Sequence, residues 1–565
     1  MTPPPAPTAH DTVVDLLVVG SGTGLLAALA AVEEGLSVLV VEKADVVGGS
    51  TALSGGAFWI PGNAVLAEDG SDDTVESAAT YLEDLVGEDV PRARWTAYLD
   101  HGPEAVDLMR RRTPLELAWA EGYPDYHTQR PGASTSGRSV ESDPFDLSVL
   151  GKEADRVRPP AVGAPVPVPV TGRDYRWLNL LTRRPGEALP RVARRVAQGV
   201  GGMALGRTYV ALGTALAGGL YAGVRAARVP VWTGTGLVRL VRDVSGEGVK
   251  GAVVSQDGRE VTVTATRGVV LAAGGFDHHA ELRREHQSPS LDPRWPLGAE
   301  TNTGDALLAA RAVGADTDLM DQAWWFPAVA PVGDGRPGVL LAERALPGSL
   351  LVDRHGRRFV NEAVDYMSFG QEVLRREAEG DPVGDMWLVF DQTYRDSYLL
   401  ATEVYPRMPL PRAWVEAGIA HTRPDAASLA EAMGVPVDTF VETGKRFNEL
   451  AVRGVDRDFH RGESAYDRYY GDPTVTPNPT LRPLTSSPLH AVRLVLADLG
   501  TCGGLRADEH ARVLREDGSP IEGLYAIGNT AANVFGRTYP GAGATIGQGL
   551  VFGLLAARHA ARRSA

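Results

Sequence analysis

The segment Val13–Val19, with the sequence VVDLLVV, decides the fold together with the glycine-rich stretch 20–24 (GSGTG) directly after it. The first run is apolar and typical of a buried strand. The alanine- and leucine-rich stretch Leu25–Glu34 predicts a helix, and Ser37–Val41 predicts a second strand that ends at Glu42. Together these elements predict a βαβ unit of the dinucleotide-binding type.

Each position of this motif has a physical task. Gly20 permits the tight turn, and Gly22 lets the backbone approach a pyrophosphate. The start of the helix offers free N–H groups and a positive dipole to the phosphates. Glu42 stands 22 positions after Gly20, the spacing of a carboxylate that accepts from a ribose hydroxyl. The third fingerprint position is Leu25, and Gly24 lies one residue early, so we expect the helix to pack slightly differently on the strand.

A second glycine-rich stretch indicates which dinucleotide is bound. Residues 48–57, GGSTALSGGA, come shortly after Glu42 and combine small side chains with hydroxyl groups. Such a loop fits a long cofactor, with backbone N–H groups along the ribityl chain and isoalloxazine of FAD. The alternative is an ordinary glycine-rich turn. No histidine in the loop is placed for covalent attachment, so we expect non-covalent FAD.

Composition limits the classes of protein. The chain has 565 residues and a formal net charge of −15. Because a negative protein repels the phosphate backbone, we do not expect it to bind nucleic acids in general. Cys502 is the single cysteine, which excludes an intrachain disulfide and a cysteine-based metal cluster, and we predict no metal site. The stretch Met1–Thr12 lacks the basic and apolar regions of a signal peptide. We therefore predict a cytoplasmic protein.

Three further segments resemble the fumarate reductase/succinate dehydrogenase superfamily of FAD proteins. They are Leu271–Phe276 (LAAGGF), Gly500–Leu505 (GTCGGL) and Gly523–Asn529 (GLYAIGN). The resemblance implies an α/β fold, a Rossmann-type FAD-binding domain split into N- and C-terminal parts with an α+β catalytic cap inserted between them. We place the first part at 1–285, the cap domain at 286–480 and the second part at 481–565.

Within that superfamily the chain most resembles the 3-ketosteroid Δ1-dehydrogenases. Four segments carry the resemblance: Ser54–Pro61 (SGGAFWIP), Gly122–His127 (GYPDYH), Arg357–Tyr366 (RRFVNEAVDY) and Gly536–Gly547 (GRTYPGAGATIG). The resemblance implies an FAD-dependent oxidoreductase of steroid metabolism whose partners are a steroid and an artificial or quinone-type electron acceptor. The His/Arg pairs that bind dicarboxylates in fumarate reductases are not evident, and tyrosines stand there instead.

The same resemblance implies the catalytic residues. Tyr539 donates its O–H, and Gly543 its backbone N–H, to the C3 oxygen of a 3-oxosteroid. Tyr366 abstracts the C2 proton while the C1 hydride goes to the flavin N5. The pKa of a tyrosine lies near 10, so this base needs activation. Tyr126 or Tyr123 assists it, and Tyr126 is the preferred candidate.

The predicted cofactor contacts come from the glycine motif, the second glycine-rich stretch and the C-terminal segments. They are Gly20, Ser21, Gly22, Thr23, Gly24, Glu42, Lys43, Gly49, Ser50, Thr51, Ser54, Gly55, Gly56, Ala57, Ala273, Gly274, Gly528, Asn529, Ala544, Thr545 and Ile546. Three other functions stay open at this point: a 3-oxo-5α-steroid Δ4-dehydrogenase, a fumarate-reductase-like oxidoreductase, and a sterol-binding flavoprotein with little turnover.

A basic insert interrupts the first part of the cofactor domain. Residues 152–230 contain 13 Lys and Arg against four Asp and Glu, a net charge of +9 in a chain of −15. The stretch Leu189–Val196 reads as a basic helix. Basic residues beside exposed Trp and Leu suit an anionic membrane surface, which predicts peripheral contact with the inner face of the cell membrane. A solvated basic face, or a lid over the cap, is the equal alternative.

Overall fold

The computed structural model describes residues 12–161 and 168–563. The segment predicted not to be a signal peptide lies almost entirely outside the described residues, as do residues 162–167 of the basic insert. The described part is a mixed α/β structure, which confirms the predicted fold class.

Within residues 12–161 and 168–563 the strands form five sheets. In chain order they are β1 Thr12–Val19, β2 Val38–Val41, β3 Phe58–Trp59, β4 Leu117–Trp119, β5 Ser139–Ser142, β6 Phe145–Asp146, β7 Tyr209–Val210, β8 Val231–Trp232, β9 Thr235–Arg242, β10 Val249–Gln256, β11 Arg259–Leu271, β12 Thr317–Asp318, β13 Ala323–Val329, β14 Gly338–Val339, β15 Ser349–Val352, β16 Met386–Asp391, β17 Ala420–Arg423, β18 Leu489–Thr501, β19 Gly504–Leu505, β20 Arg512–Leu514 and β21 Pro520–Ala526.

The helices cover the sheets and build the insert. They are α1 Gly24–Glu33, α2 Gly49–Leu53, α3 Ala64–Glu68, α4 Val75–Val86, α5 Arg92–Arg112, α6 Gly172–Asn179, α7 Pro185–Ala204, α8 Leu212–Ala226, α9 Ala280–His286, α10 Asp305–Arg311, α11 Tyr366–Ala378, α12 Gln392–Ser397, α13 Arg412–Glu416, α14 Ala426–Met433, α15 Val437–Arg453, α16 Ala465–Tyr469 and α17 Ala544–Arg562. Short 3₁₀ segments lie at Leu147–Arg156, Glu343–Ala345 and Gly528–Thr530.

The cofactor sheet is built around a parallel core. Its strand order is β20-β21-β11-β1-β2-β8, and β9 and β10 extend it as an antiparallel pair beside β11. Strands β1, β2, β8, β11 and β21 run parallel to one another, and β21 comes from the C-terminal part of the chain. The sheet is thus completed by two separated stretches of sequence, as the split cofactor domain requires.

The predicted βαβ unit is present, with α1 as its crossover helix. Leu16 of β1 pairs with Val38 of β2, and α1 ends before Gly35, which adopts the left-handed conformation at φ +81°. The early glycine has a packing reason: a Cβ at Gly24 would lie 3.0 Å from side chains of both Val18 and Ala272. Gly24 therefore provides the close helix–sheet approach that the fingerprint assigns to the next position.

The cap is an antiparallel sheet of order β14-β13-β18-β16-β15, with β17 also paired to β18. Strand β18, Leu489–Thr501, pairs with β13, β16 and β17. The predicted domain boundary at 481 assigns this strand to the cofactor domain, and that placement is wrong for these residues. The chain returns to the cofactor sheet only after Thr501, because β18 is the central strand of the cap.

The insert folds into two layers with different burial. Helix α8 is rich in Gly and Ala, and it is buried against α1 and α2. Helices α6 and α7 pack mainly on each other, and most of α7 is exposed. The predicted basic helix Leu189–Val196 is the middle of the longer helix α7.

Candidate active site

The glycine motif forms a turn at the carboxyl end of β1. Gly20 adopts φ +108°, and a Cβ there would lie 2.2 Å from the carbonyl oxygen of Ala272. Only glycine tolerates both the dihedral and this backbone approach. Helix α1 begins four residues later, so its free N–H groups face the turn and favour an anion such as a phosphate.

Glu42, the residue predicted to accept a hydrogen bond from the cofactor ribose, also makes contacts that hold the glycine turn. Glu42 is buried, and its carboxylate accepts hydrogen bonds from Ser21 N at 3.0 Å, Ser21 Oγ at 2.5 Å and Ala44 N at 2.9 Å. Glu42 thereby fixes the glycine turn as well as lining the cavity beside it. Lys43 is held by Thr303 and Asp305, both within 2.7 Å of its Nζ.

The second glycine-rich stretch is not wholly the loop that its composition predicts. Residues Gly49–Leu53 form the short helix α2, capped by Gly48 at φ +113°. Helix α8 lies against it so closely that a Cβ at Gly213 would be 2.0 Å from Thr51 O. This tertiary contact with a glycine-rich helix overrides the local preference for a turn.

One continuous cavity of about 1660 Å³ joins the glycine turn to the predicted catalytic residues. The cavity is lined by Gly20, Ser21, Gly22, Thr23, Glu42, Lys43, Gly49, Ser50, Thr51, Ser54, Gly55, Gly56, Ala57, Ala273, Gly274, Gly528, Asn529, Thr545 and Ile546. Of the predicted cofactor contacts, only Gly24 and Ala544 are not on this wall. The residues present fit FAD because the phosphate turn, the hydroxyl-bearing helix α2 and the N-terminus of α17 all face the same cavity.

Five predicted catalytic residues meet at one end of the cavity. Tyr126 Oη donates to Tyr366 Oη at 3.3 Å, and the ring centroids of Tyr366 and Tyr539 are 5.3 Å apart. Tyr123 Oη lies 3.4 Å from Tyr126 Oη, so Tyr123 is one step further from Tyr366. Gly543 lines the same space. Of the two candidate helpers, Tyr126 is the one in direct contact with Tyr366.

The local structure explains these positions. Tyr366 is the first residue of α11, and the buried Asp365 caps this helix by accepting from Ser368 N at 2.9 Å. Gly543 is the cap residue of α17 at φ +89°, where a Cβ would lie 2.1 Å from Ala57 O. A side chain is therefore excluded at Gly543, and its amide stays sterically open.

The turn between Tyr539 and α17 is held by three hydrogen bonds from other segments. Tyr126 N and Tyr81 Oη donate to Pro540 O at 3.0 and 2.9 Å, and Ser139 Oγ donates to Ala542 O at 2.7 Å. The turn is consequently fixed before any ligand arrives, which is the condition for preorganised hydrogen-bond donors.

Burial keeps the phenols protonated. It raises the pKa of Tyr366 and of Tyr126 well above the ordinary value, and it raises the pKa of Tyr123 to about 12. Burial also raises the pKa of Tyr539, although hydrogen bonds from Thr545, Tyr366 and the Gly543 amide oppose it. A protonated Tyr539 can donate its O–H to a ligand, whereas the raised pKa of Tyr366 opposes the loss of its proton.

Sequence reasoning missed part of this cluster. Tyr470 Oη donates to Tyr123 Oη at 3.0 Å, and the Tyr469 ring stacks on Tyr123 at 4.6 Å. Trp324 packs edge-on against Tyr539 at 4.7 Å and donates to Asn529 at 3.1 Å. The repeated tyrosines at helical spacing at the end of α16 are the signal that could have found the first pair.

The insert covers the cavity. Side chains of α6 and α7 line its wall, among them Arg173, and two arginines of these helices are paired with carboxylates. Arg173 binds Glu141 and Asp143, and Arg195 Nε donates to Asp174 Oδ2 at 2.6 Å. These helices therefore form part of the cavity wall. Across residues 12–161 and 168–563, each helix is too short or too polar to cross a bilayer.

Comparison with known proteins identifies the family. The FAD binding domain family model matches residues 15–546. The 3-oxosteroid 1-dehydrogenase of Mycobacterium tuberculosis H37Rv is 44% identical over 97% of this chain and 98% of its own length. A 4-oxocyclohexanecarboxylate 2-dehydrogenase of Sinomonas cyclohexanicum is 35% identical over 98% of this chain and 93% of its own.

A solved structure has the same architecture over nearly the full length. The 3-ketosteroid Δ1-dehydrogenase of Sterolibacterium denitrificans, solved in complex with 1,4-androstadiene-3,17-dione, superposes with a TM-score of 0.92 at 36% identity. The match covers 97% of this chain and 99% of that one. The chain therefore belongs to the 3-oxosteroid 1-dehydrogenase family of FAD-dependent oxidoreductases.

Proposed function

We propose that this enzyme introduces the C1–C2 double bond into 3-oxosteroids. The observation that supports this most is the convergence of three neutral phenols and one open glycine amide at the end of the cofactor cavity. Neutral donors suit a ketone on an apolar ring system, whereas a dicarboxylate calls for cationic partners.

The ketone sets the demands on the protein. A C3 carbonyl makes the C2 proton mildly acidic, because the enolate that forms places negative charge on the carbonyl oxygen. FAD, when bound, supplies the acceptor for the C1 hydride. Tyr539 O–H and Gly543 N–H donate to the C3 oxygen, and this pair stabilises the developing negative charge. One proton and one hydride would leave the steroid, so a bound FAD would take up two electrons.

Tyr366 takes the C2 proton. Its raised pKa opposes this role, so the phenolate must be stabilised at the moment of transfer. Tyr126 donates to the Tyr366 oxygen at 3.3 Å and is placed to do so. Phe326 lines the cavity beside Tyr366, and Trp324 packs against the ring of Tyr539, so this end of the cavity is apolar and excludes water from the reacting carbons.

The test is Tyr539→Phe in the flavin-loaded enzyme. We expect kcat/KM for androst-4-ene-3,17-dione to fall roughly 100- to 1,000-fold, the usual loss for one oxyanion donor, while flavin content stays unchanged. The matched control is Tyr525→Phe, whose phenol contacts His559 outside the cavity and should keep activity within about twofold. Equal activity in wild type and Tyr539→Phe would contradict the proposal.

Product identity separates the rival reactions. Mass and ultraviolet spectra distinguish a 1,4-diene-3-one from the Δ4 product of a 5α-steroid, and fumarate turnover tests the reductase alternative. Anaerobic titration with the steroid tests the non-catalytic alternative, because a binding protein leaves the flavin oxidised. For the two electrons we propose a quinone-type acceptor, checked by comparing turnover with a soluble quinone and with oxygen.

We also propose that the mouth of the cavity rests on the inner face of the cell membrane. Val200, Met203 and Leu205 of the insert are exposed apolar residues, and Arg191 and Arg194 stand exposed on the same helix. Apolar side chains beside cations favour an anionic bilayer surface. Steroids dissolve in that bilayer, so a mouth at its surface shortens their path.

Vesicle co-sedimentation tests this contact. We expect the holoenzyme to bind vesicles rich in anionic lipid, and the double variant Met203→Asp/Leu205→Asp to lose at least tenfold in the bound-to-free ratio. Val244→Asp, exposed in the β9–β10 turn, is the control that should bind like wild type. Equal binding of all three proteins would exclude α7 as the contact.

A further inference from the structure

The start of α17 carries a hydroxyl group beside the phenol of Tyr539. Thr545 is the second residue of this helix, and its Oγ1 donates to Tyr539 Oη at 3.1 Å. A helical threonine often donates to a carbonyl oxygen three or four residues earlier. Here those two oxygens, of Gly541 and Ala542, accept from other donors. The Thr545 hydroxyl instead contacts the phenol that is proposed to hold the C3 oxygen.

Two backbone amides at the start of α17 act on the same phenol. Within residues 12–161 and 168–563, the N–H groups of Gly543 and Thr545 have no backbone acceptor. Burial raises the pKa of Tyr539, and these two amides oppose that effect together with the Thr545 hydroxyl. The N-terminus of a helix also carries a partial positive charge. Negative charge on the Tyr539 oxygen is therefore stabilised from the side of α17.

Burial alone does not distinguish Tyr539 from its neighbours. Tyr126, Tyr366 and Tyr539 are 4%, 5% and 4% exposed. Burial raises the pKa of Tyr126 and of Tyr366 well above the ordinary value, and it raises the pKa of Tyr539 less. Of these three phenols, Tyr539 is the one that receives hydrogen bonds from Thr545 and from the start of α17. Its partners make it the best O–H donor of the three.

We infer, on the basis of the proposed function, that Thr545 is a positioning residue: its hydroxyl donates to the Tyr539 oxygen and thereby directs the phenolic hydrogen of Tyr539 to the C3 oxygen of the steroid. A phenol has one hydrogen to donate, and a donor on its oxygen leaves that hydrogen for the ligand. Hydrogen bonds in a chain polarise one another. As negative charge develops on the C3 oxygen, the Thr545 hydroxyl strengthens the bond that Tyr539 makes to it.

The first test removes the hydroxyl and keeps the shape of the side chain. In flavin-loaded Thr545→Val we expect kcat/KM for androst-4-ene-3,17-dione to fall about tenfold, with flavin content unchanged. Thr545→Ser restores the donor and should recover most of the wild-type activity. Thr443→Val is the matched control, because its hydroxyl donates to Thr439 O on α15 and Thr443 does not line the cavity. Full activity in Thr545→Val would overturn the inference.

The second test measures the hydrogen bond to the C3 oxygen without turnover. The oxidised flavin-loaded enzyme is titrated with androsta-1,4-diene-3,17-dione and with androst-4-en-17-one, which lacks the C3 oxygen. We expect Thr545→Val to weaken binding of the first ligand about fivefold and to leave binding of the second unchanged. Equal weakening of both ligands would overturn the inference, because it would indicate a general disturbance of the cavity.

The third test asks whether Thr545 acts through the phenol. In the Tyr539→Phe background, Thr545→Val should lower kcat/KM by less than about twofold, because the group on which the hydroxyl acts is already absent. An undiminished tenfold loss would contradict the inference and would assign the hydroxyl to another partner, such as the cofactor for which the sequence predicts it.

The outcomes separate this inference from the proposed function. If wild type dehydrogenates no 3-oxosteroid, or if Tyr539→Phe keeps full activity, the proposed function fails. If wild type is active and Tyr539→Phe is impaired, but Thr545→Val behaves like wild type in both turnover and ligand binding, only the role of Thr545 fails.

Discussion

The cofactor helix α1 and the insert helix α7 are built in opposite ways. Eight of the ten residues of α1 are buried, from Gly24 through Ala31. Of the 20 residues of α7, only Ala188, Arg195, Gly199 and Gly202 are buried. The difference teaches that α1 is part of a rigid platform in the cofactor domain, whereas the insert helices α6 and α7, here called the lid, are thinly attached at the cavity wall.

The two sequences account for this contrast. Helix α1 reads GLLAALAAVE, apolar on all sides, which is typical of a helix enclosed by its neighbours. Helix α7 reads PGEALPRVARRVAQGVGGMA, with arginines, four glycines and an internal proline. Glycine and proline lower helix stability, and α7 gains little packing energy to offset that.

The largest effect is expected from a substitution in the glycine turn of the cofactor domain. Gly20→Ala places a Cβ 2.2 Å from a backbone oxygen at φ +108°, so we expect at least a tenfold loss of flavin per protein, measured by visible absorbance. Gly35→Ala is the control, because it has a similar left-handed backbone but no atom within 4 Å. It should cost about 1 kcal/mol and keep its flavin. Retained flavin in Gly20→Ala would show that the turn is not rigid.

The next effect concerns a buried acid between the lid and the cap. Burial raises the pKa of Glu343 to about 7, from 4.5, while Ala401 N and Tyr175 Oη donate to its carboxylate. Between those pH values the folded state binds more protons than the unfolded state, so stability falls as pH rises and levels off above about 7.

Glu343→Gln removes this dependence. The shift in the pKa of Glu343 corresponds to a change in folding stability on the order of 3 kcal/mol. The melting temperature of the variant should therefore fall less than that of wild type between pH 5 and pH 8. Glu516→Gln, on an exposed residue, is the control that should follow wild type. Parallel pH profiles for all three proteins would show that Glu343 does not titrate in this range.

A smaller and local effect is expected at the junction of α6 and α7. Asp174 accepts from Thr171 N at 3.1 Å and from Arg195 Nε at 2.6 Å. Asp174→Asn weakens this buried pair, so trypsin should cleave within 171–205 at least tenfold faster, while the melting temperature moves by less than about 2 °C. Asp334→Asn, which disrupts an exposed pair, should change neither. A large fall in melting temperature would contradict this prediction, because it would show that the lid unfolds together with the cofactor domain.

The smallest effect is expected on the exposed face of the lid. Leu205 is 77% exposed, so Leu205→Lys should change the free energy of unfolding by less than about 0.5 kcal/mol. Leu26→Ala, at a fully buried position of α1, should cost about 2–5 kcal/mol. Thermal melts of the two variants check the contrast directly, and similar losses would contradict it.

The fold could be predicted from sequence where local pattern and tertiary structure agree. The apolar run before Gly20 and the helix after it are of this kind. The prediction failed at Gly49–Leu53, where α8 imposes a helix on a glycine-rich stretch, and at β18. A strand pattern reveals that a strand exists, but its sheet depends on partners far away in sequence, here β13 and β16.

Motifs in the sequence were enough to predict which residues belong to the candidate site, but not which of them contact each other. The family resemblance supplies Tyr539, Gly543 and Tyr366 alike, each on the segment that carries it. The choice between Tyr123 and Tyr126 needed coordinates, because three residues of loop place the two phenols at different distances from Tyr366. Tyr470 was missed since its partner is 347 residues away.

The placement of β18 has a mechanical consequence. This strand lies in the middle of the cap sheet. At its end, Thr501 Oγ1 accepts a hydrogen bond from Phe276 N in the cofactor half at 3.3 Å. Arg283 and Asp498 tie the same strand to α9 through a buried ion pair. A swing of one half against the other would shear both ties at once. We therefore expect a steroid to enter and leave past the insert helices, so that substitutions in those helices change uptake without changing the residues that react.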